Sequence, residues 1–177
     1  MRKFLLLIVA ALAVVAMSST ALAAVNVKSL PTATFGSPNA ASVSLTGGNF
    51  SGLGSVPAIA TLTVQGSATY TCTNQGGNAS PGQNPVPAQP GSANQDLGNA
   101  DHNGRGTITD LTASVTAGPT PSPQQVGCGG GGSNNWTVTL NTLTATSAQL
   151  VIKQDSSIVF CRNYITNGTG FPPPPAC

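Results

Sequence analysis

Glutamate is absent from this chain, histidine and tryptophan occur once each, and charged residues make up only 6% of it. These shortages exclude several classes of function. After Arg2 and Lys3, the positive residues are Lys28, Arg105, Lys153 and Arg162, and Asp96, Asp101, Asp110 and Asp155 balance them. The formal charge of +2 therefore belongs to the first three residues. Without a basic excess elsewhere, the chain has no electrostatic footprint for nucleic acid or an anionic membrane. His102 is the sole imidazole and no C-x2-C pair occurs, so neither a metal nor a cofactor is expected.

Long apolar runs are missing too, with one exception. Phe4 to Met17 is unbroken, follows Arg2 and Lys3, and gives way to small residues ending in Ala21-Leu22-Ala23. A charged start, an apolar middle and an A-x-A exit are the layout of a secretory signal peptide. The run is well short of the ~20 residues that a membrane-spanning helix needs. We therefore expect residues 1–23 to be removed and residues 24–177 to be exported as one domain, with no membrane association after cleavage. The expected location is extracellular.

What the chain has in abundance is Thr, Ser, Ala, Val and Gly, punctuated by Pro-Gly clusters. No helical period is visible. The clearest signal is Ala60 to Cys72, where Ala60, Leu62, Val64, Gly66, Ala68, Tyr70 and Cys72 share one face. Threonines dominate the other face, so this is expected to be a half-buried strand, bent at Gly66. Ser42 to Thr46 alternates in the same way and breaks at Gly47-Gly48, while Val25 and Val27 mark a short strand before it. Thr107 to Thr116 changes phase between Ile108 and Leu111, which a bulge near Thr109-Asp110 reconciles. The polar stretch from Thr73 to Gly106 is too long for a structureless loop, and an edge strand flanked by prolines is expected near Val86. Trp136, Val138 and Leu140 share a face and are expected in the core. Ala148, Leu150 and Ile152 follow, then a turn at Gln154 to Ser157 and a last strand from Ile158 to Cys161. Seven or eight short strands in one domain make the fold all-β, an immunoglobulin-like or related antiparallel sandwich.

The four cysteines are Cys72, Cys128, Cys161 and Cys177. An even number in an exported chain argues for two disulfides. Cys161 ends a strand, and Cys177 closes a short Pro-rich excursion, so a local Cys161–Cys177 bridge is favoured. Cys72–Cys128 would then fasten both ends of the polar region. The immunoglobulin arrangement, Cys72–Cys161 across two sheets against Trp136, stays open as the alternative.

Tyr70-Thr-Cys72-Thr-Asn74-Gln-Gly76-Gly77-Asn78, followed by Pro81-Gly82-Gln83-Asn84-Pro85, resembles a pattern in uncharacterised small secreted proteins of Gram-positive bacteria. There too a cysteine shortly precedes an Asn-Trp-Thr strand start, as Cys128 precedes Asn135-Trp136-Thr137 here. The resemblance covers most of residues 58–161. It implies a β-rich extracellular domain and favours Cys72–Cys128, and it brings no activity with it.

Candidate chemistry is sparse. Asp101-His102-Asn103-Gly104-Arg105-Gly106-Thr107-Ile108 partly follows a calcium loop, but Arg105 sits at a ligand position and Thr112 at the position of the bidentate acid. A hairpin turn at Asn103-Gly104 explains the segment better. Asp96, Asp101 and Asp110 surround His102 in sequence, yet no G-x-S-x-G elbow supplies a nucleophile. The Thr-x-Thr motifs at Thr61, Thr69, Thr107, Thr137 and Thr142 are irregularly spaced, as on the solvent faces of ordinary strands. We therefore expect no catalytic site and read the chain as a secreted binding or surface-structural module. Its expected partner is a cell-wall polymer or an extracellular protein. The alternatives are a carrier holding an apolar small molecule between the sheets and a small hydrolase using His102 and Asp101. A sugar-binding variant would need Trp136 or Tyr164 exposed.

Overall fold

The computed structural model describes residues 25–36, 40–54, 56–98, 104–129, 135–166 and 175–177. The expected signal segment and the Asp101–His102 pair lie outside them. Among the described residues the chain is all-β and antiparallel.

Two long strands dominate. Strand β5 spans Ala58–Asn74 and β11 spans Trp136–Gln154, and they pair along almost their entire lengths. Strict alternation puts Ala58, Ala60, Leu62, Val64, Ala68, Tyr70 and Cys72 on the inner face of β5, each 3% exposed or less. On β11 the apolar phase changes twice, because bulges fall between Leu140 and Thr142 and between Ala145 and Ser147. The first bulge carries the inner set from Leu140 to Leu143 and the second from Ala145 to Ala148. Two apparently separate segments are therefore one strand, and the fold has longer strands than the pattern predicted.

The polar stretch after β5 turns out to be a broken edge strand. After a turn, β6 (Ala79–Pro81), β7 (Val86–Pro87) and β8 (Gly91–Asp96) run back down the same edge of β5, opposite residues 71–73, 67–68 and 59–64. Prolines interrupt the ladder where the chain steps outward, so the expected strand at Val86 is one of three pieces. On the far side β12 (Ser157–Ile165) pairs with β11 through the two-residue turn Asp155–Ser156, with Asp155 at φ 50°.

A second layer lies across the lower half of this sheet. It comprises β1 (Asn26–Ser29) with β2 (Thr32–Phe35), β3 (Ser42–Thr46) with β4 (Gly48–Ser51), and β9 (Gly106–Ile108) with β10 (Leu111–Ser114). Each couple is one pass of chain broken near its middle, at Leu30-Pro31, Gly47 and Thr109-Asp110. The pairings β1–β4–β9 and β2–β3–β10 show that the three breaks lie side by side. A crease therefore crosses the layer, and Gly47 accommodates it at φ 76°. The phase change expected near Thr109-Asp110 is this crease: Ile108, Leu111, Ala113 and Val115 are all buried.

The main core fills the space between the layers. Val43, Leu45, Phe50, Ile108 and Leu111 from the creased layer meet Ala60, Leu62, Val64, Leu150 and Ile152 from the main sheet. Phe50 packs edge-on against Phe160 of β12 at 5.1 Å between centroids. A mutual hydrogen-bonded bridge between Gln89 and Thr116 joins the layers at one edge. At the core's upper end, Ala145 N–H donates to the Ala40 carbonyl at 2.9 Å and Val115 N–H to that of Ala41 at 2.8 Å. A smaller cluster, Ala68, Tyr70, Cys72 and Val126, occupies the upper half of the sheet. Trp136 and Val138 lie half-buried at its rim and Leu140 is 47% exposed, so the expected core placement of these three is corrected. The structure extends them beyond the creased layer, where little covers them.

Leu62 and Leu150 are fully buried, and truncating either to Ala should cost about 2–5 kcal/mol in denaturant unfolding. Ile59→Ala, on the opposite face and 47% exposed, should stay within about 0.5 kcal/mol. Gly66→Ala adds one methyl but belongs with the large losses, since its Cβ would collide with the Thr144 carbonyl.

Candidate functional site

The two bridges are Cys72–Cys128, with Cα atoms 5.7 Å apart, and Cys161–Cys177, at 5.6 Å. The inter-sheet alternative Cys72–Cys161 is therefore excluded. Its geometry fails for a simple reason: Cys72 points inward from β5, whereas Cys161 pairs with Val151 on the outer face. The first bridge pulls the proline-rich chain after β10 over the upper cluster. There Val126 is fully buried, and its carbonyl accepts from Asn84 N–H at 3.1 Å. The second bridge lays residues 175–177 on the outer face. Gln149 Nε2 donates to the Pro175 carbonyl at 2.9 Å and Asn163 Nδ2 donates to it at 3.1 Å.

That outer face is lined by hydroxyls along its upper part. Register places Thr73 beside Thr137, Thr71 beside Thr139, Thr69 beside Thr142 and Ser67 beside Thr144. The result is a double rank of hydroxyls, with Thr69 and Thr142 hydrogen-bonded at 2.6 Å. Three of the five Thr-x-Thr motifs meet here. The β5 threonines are half-buried rather than solvated, because neighbouring strands flank them on both sides.

At the lower end the hydroxyls give way to a mixed row: Asp96, Ile59, Lys153 and Ile158 lie across four strands. Beside it is an open depression of roughly 410 Å³ lined by Pro57, Ile59, Thr61, Asn94, Lys153 and Asp155. It offers an ammonium, a carboxylate, an amide and a hydroxyl around an apolar floor. Such a set suits hydrogen bonding to a polar ligand, and these six side chains include no imidazole or thiol to activate a nucleophile. None of the six was singled out from sequence as a site. One signal was present: Ile59 stands on the threonine phase of β5, an apolar residue where the pattern calls for a polar one.

Of the residues proposed from sequence, the four cysteines are brought together in pairs. Asp101 and His102 lie outside the described residues. Asp110 is at the crease, where its carboxylate accepts from the Thr112 hydroxyl at 3.1 Å. Asp96 Oδ1 accepts from the Gly98 N–H at 2.8 Å, a local turn contact. No group of three or more His, Cys, Asp or Glu is placed to hold a metal among the described residues. Tyr164 is half-buried, and its hydroxyl donates to the Pro31 carbonyl at 3.3 Å, tying β12 to the crease. Burial pushes its phenol above the ordinary 10.0, with the Arg162 guanidinium acting in the opposite direction. Neither Trp136 nor Tyr164 presents the fully exposed ring that a sugar platform requires.

The chain matches no protein-family model, no curated protein and no solved structure. Its chemistry has to be read from its own residues.

Removing the Cys72–Cys128 bridge by paired Ser substitutions should cost up to about 4 kcal/mol, and removing Cys161–Cys177 up to about 3 kcal/mol, the longer closed loop mattering more. Equilibrium unfolding of the two double variants checks the order. Because the Tyr164 phenol is raised in the fold, its contribution to stability should be complete below pH about 10 and fade as pH rises through the raised value. Tyr164→Phe should remove that pH dependence, which unfolding across the alkaline range measures.

Proposed function

We propose that this protein is a secreted, disulfide-stapled β-sandwich that binds or builds structure outside the cell and is not an enzyme. The observation that carries this reading is the placement of the two bridges. The first fastens the loop at Cys128 onto β5 and the second fastens the C-terminal residues onto β12, a way of fixing chain that is favoured in an oxidising compartment. The charged, apolar and A-x-A pattern of residues 1–23 supports the same destination. The likeness of the Cys72 and Cys128 segments to small secreted proteins agrees with it. Within sandwiches, the arrangement supports a relative of the immunoglobulin type rather than a true member, since neither bridge joins the two layers.

The outer face is the surface we assign to binding. Its hydroxyl ranks and the depression at Lys153 suit a hydroxyl- and amide-rich partner, such as a cell-wall polymer or an extracellular protein. The space between the layers is filled by side chains at or near zero exposure, and the depression lies outside it, so the observations do not favour a carrier of apolar molecules.

Protein collected from a culture medium should begin at Ala24 by mass and N-terminal sequence, with both bridges intact on non-reducing peptide mapping. Insoluble cell-wall polymer and immobilised extracellular protein should each be tested for retention of this material. Lys153→Ala and Asn94→Ala should lower retention severalfold without changing thermal stability. Retention by neither material, or retention indifferent to both substitutions, overturns the outer-face assignment.

A further inference from the structure

Open sheet edges invite pairing with another strand, and proteins blunt them with prolines, charges or bulges. Most edges here are blunted. The β6–β8 edge carries Pro81, Pro85, Pro87 and Pro90, the β1–β2 edge carries Lys28 and Pro31, and β12 carries Arg162. One stretch is not. Strand β12 pairs only with residues 147–154 of β11, so the upper part of β11 has β5 on one side and no strand on the other among the described residues. Backbone bonds of the ladder's far side begin again at Ala145 and Thr146.

Trp136 to Leu140 is the straight part of this free edge, ending just before the first bulge. Its sequence, Trp-Thr-Val-Thr-Leu, has no charge, no proline and no glycine, and consists of residues that favour strands or pack well in them. It also leaves apolar area unburied: Leu140 is 47% exposed, and Trp136 and Val138 are half-buried.

We propose that this edge is a self-association site, where a second copy of the chain adds its own Trp136–Leu140 antiparallel to the first. The sequence is self-complementary about Val138. A two-fold axis there, perpendicular to the sheet, sets Val138 against the second copy's Val138 and Trp136 against its Leu140, twice over. All of these lie on the inner face, so the exposed leucine of each copy is covered by the indole of the other. On the outer face Thr137 meets Thr139, extending the hydroxyl ranks from one copy into the next. The contact is isologous and closes at a dimer, and the chain's near balance of charge leaves little long-range repulsion to oppose it. Main-chain bonds supply the attraction and the alternating side chains set the register.

Sedimentation of the disulfide-intact protein over a concentration series tests this, with emission from the lone tryptophan as a second signal. The wild type should form a dimer as concentration rises, and Trp136 emission should shift to the blue in step. The doubly substituted variants T137K/T139K and T137D/T139D alter exposed positions and put like charges opposite each other, so each alone should weaken dimerisation at least tenfold. An equimolar mixture of the two should dimerise again, which a variant that had merely misfolded would not do. A wild type that stays monomeric throughout overturns the proposal. So does a dimer that persists in both charged variants, or a mixture that fails to restore it.

Discussion

The antiparallel ladder between β5 and β11 is the contact from which everything else hangs. It runs through 17 register pairs. One edge of β5 carries the three fragments of the polar return, and the lower edge of β11 carries β12. The lower inner face receives the creased layer, and the upper inner face receives the loop held by Cys72–Cys128. A strand pair of such length would be marginal as an isolated hairpin. It stands because each half is covered differently, by a packed layer below and by a covalently fastened loop above.

Few charges mean that this surface is solvated by hydroxyls and amides. Such groups are hydrated less strongly than ions, and they bond readily to one another, as Thr69 and Thr142 do. Side-chain amides take on work that ion pairs perform elsewhere. Gln154 donates from β11 to the carbonyls of Leu53 and Val56, fixing the crossing between layers. Gln95 reaches from β8 to the Thr107 carbonyl at 3.1 Å, and Gln149 holds the C-terminal residues. These bonds depend weakly on salt and pH, so the architecture has few electrostatic levers.

Much of the fold was legible from period-two alternation wherever the phase was unbroken. Strand β5 was visible almost to its ends, β3 to the residue, and the crease at Thr109-Asp110 from the switch between Ile108 and Leu111. Legibility failed where backbone irregularity resets the phase. The extra residues near Asn141 and Thr146 made β11 read as two strands, and a bulge leaves no compositional mark of its own. Gly47 looked like the end of a strand but only bends one. Trp136 looked like core because alternation reports which face a residue occupies, not whether anything covers that face. The favoured bridges followed from loop closure and were found. The depression at Lys153 joins residues from three separated stretches of chain, and only the strand register brings them together.

The Cys161–Cys177 bridge also determines how load would travel through the molecule. A pull applied at Cys177 does not straighten residues 162–176; it passes through the sulfur atoms into the middle of β12. There it meets the backbone bonds joining β12 to β11, beside Val151, and not a strand end that could be peeled away one bond at a time. Entry at an interior point engages ladder bonds on both sides of Cys161 together. The short covalent loop therefore acts as a strain relief, passing load at Cys177 directly to a fixed anchorage on the sheet.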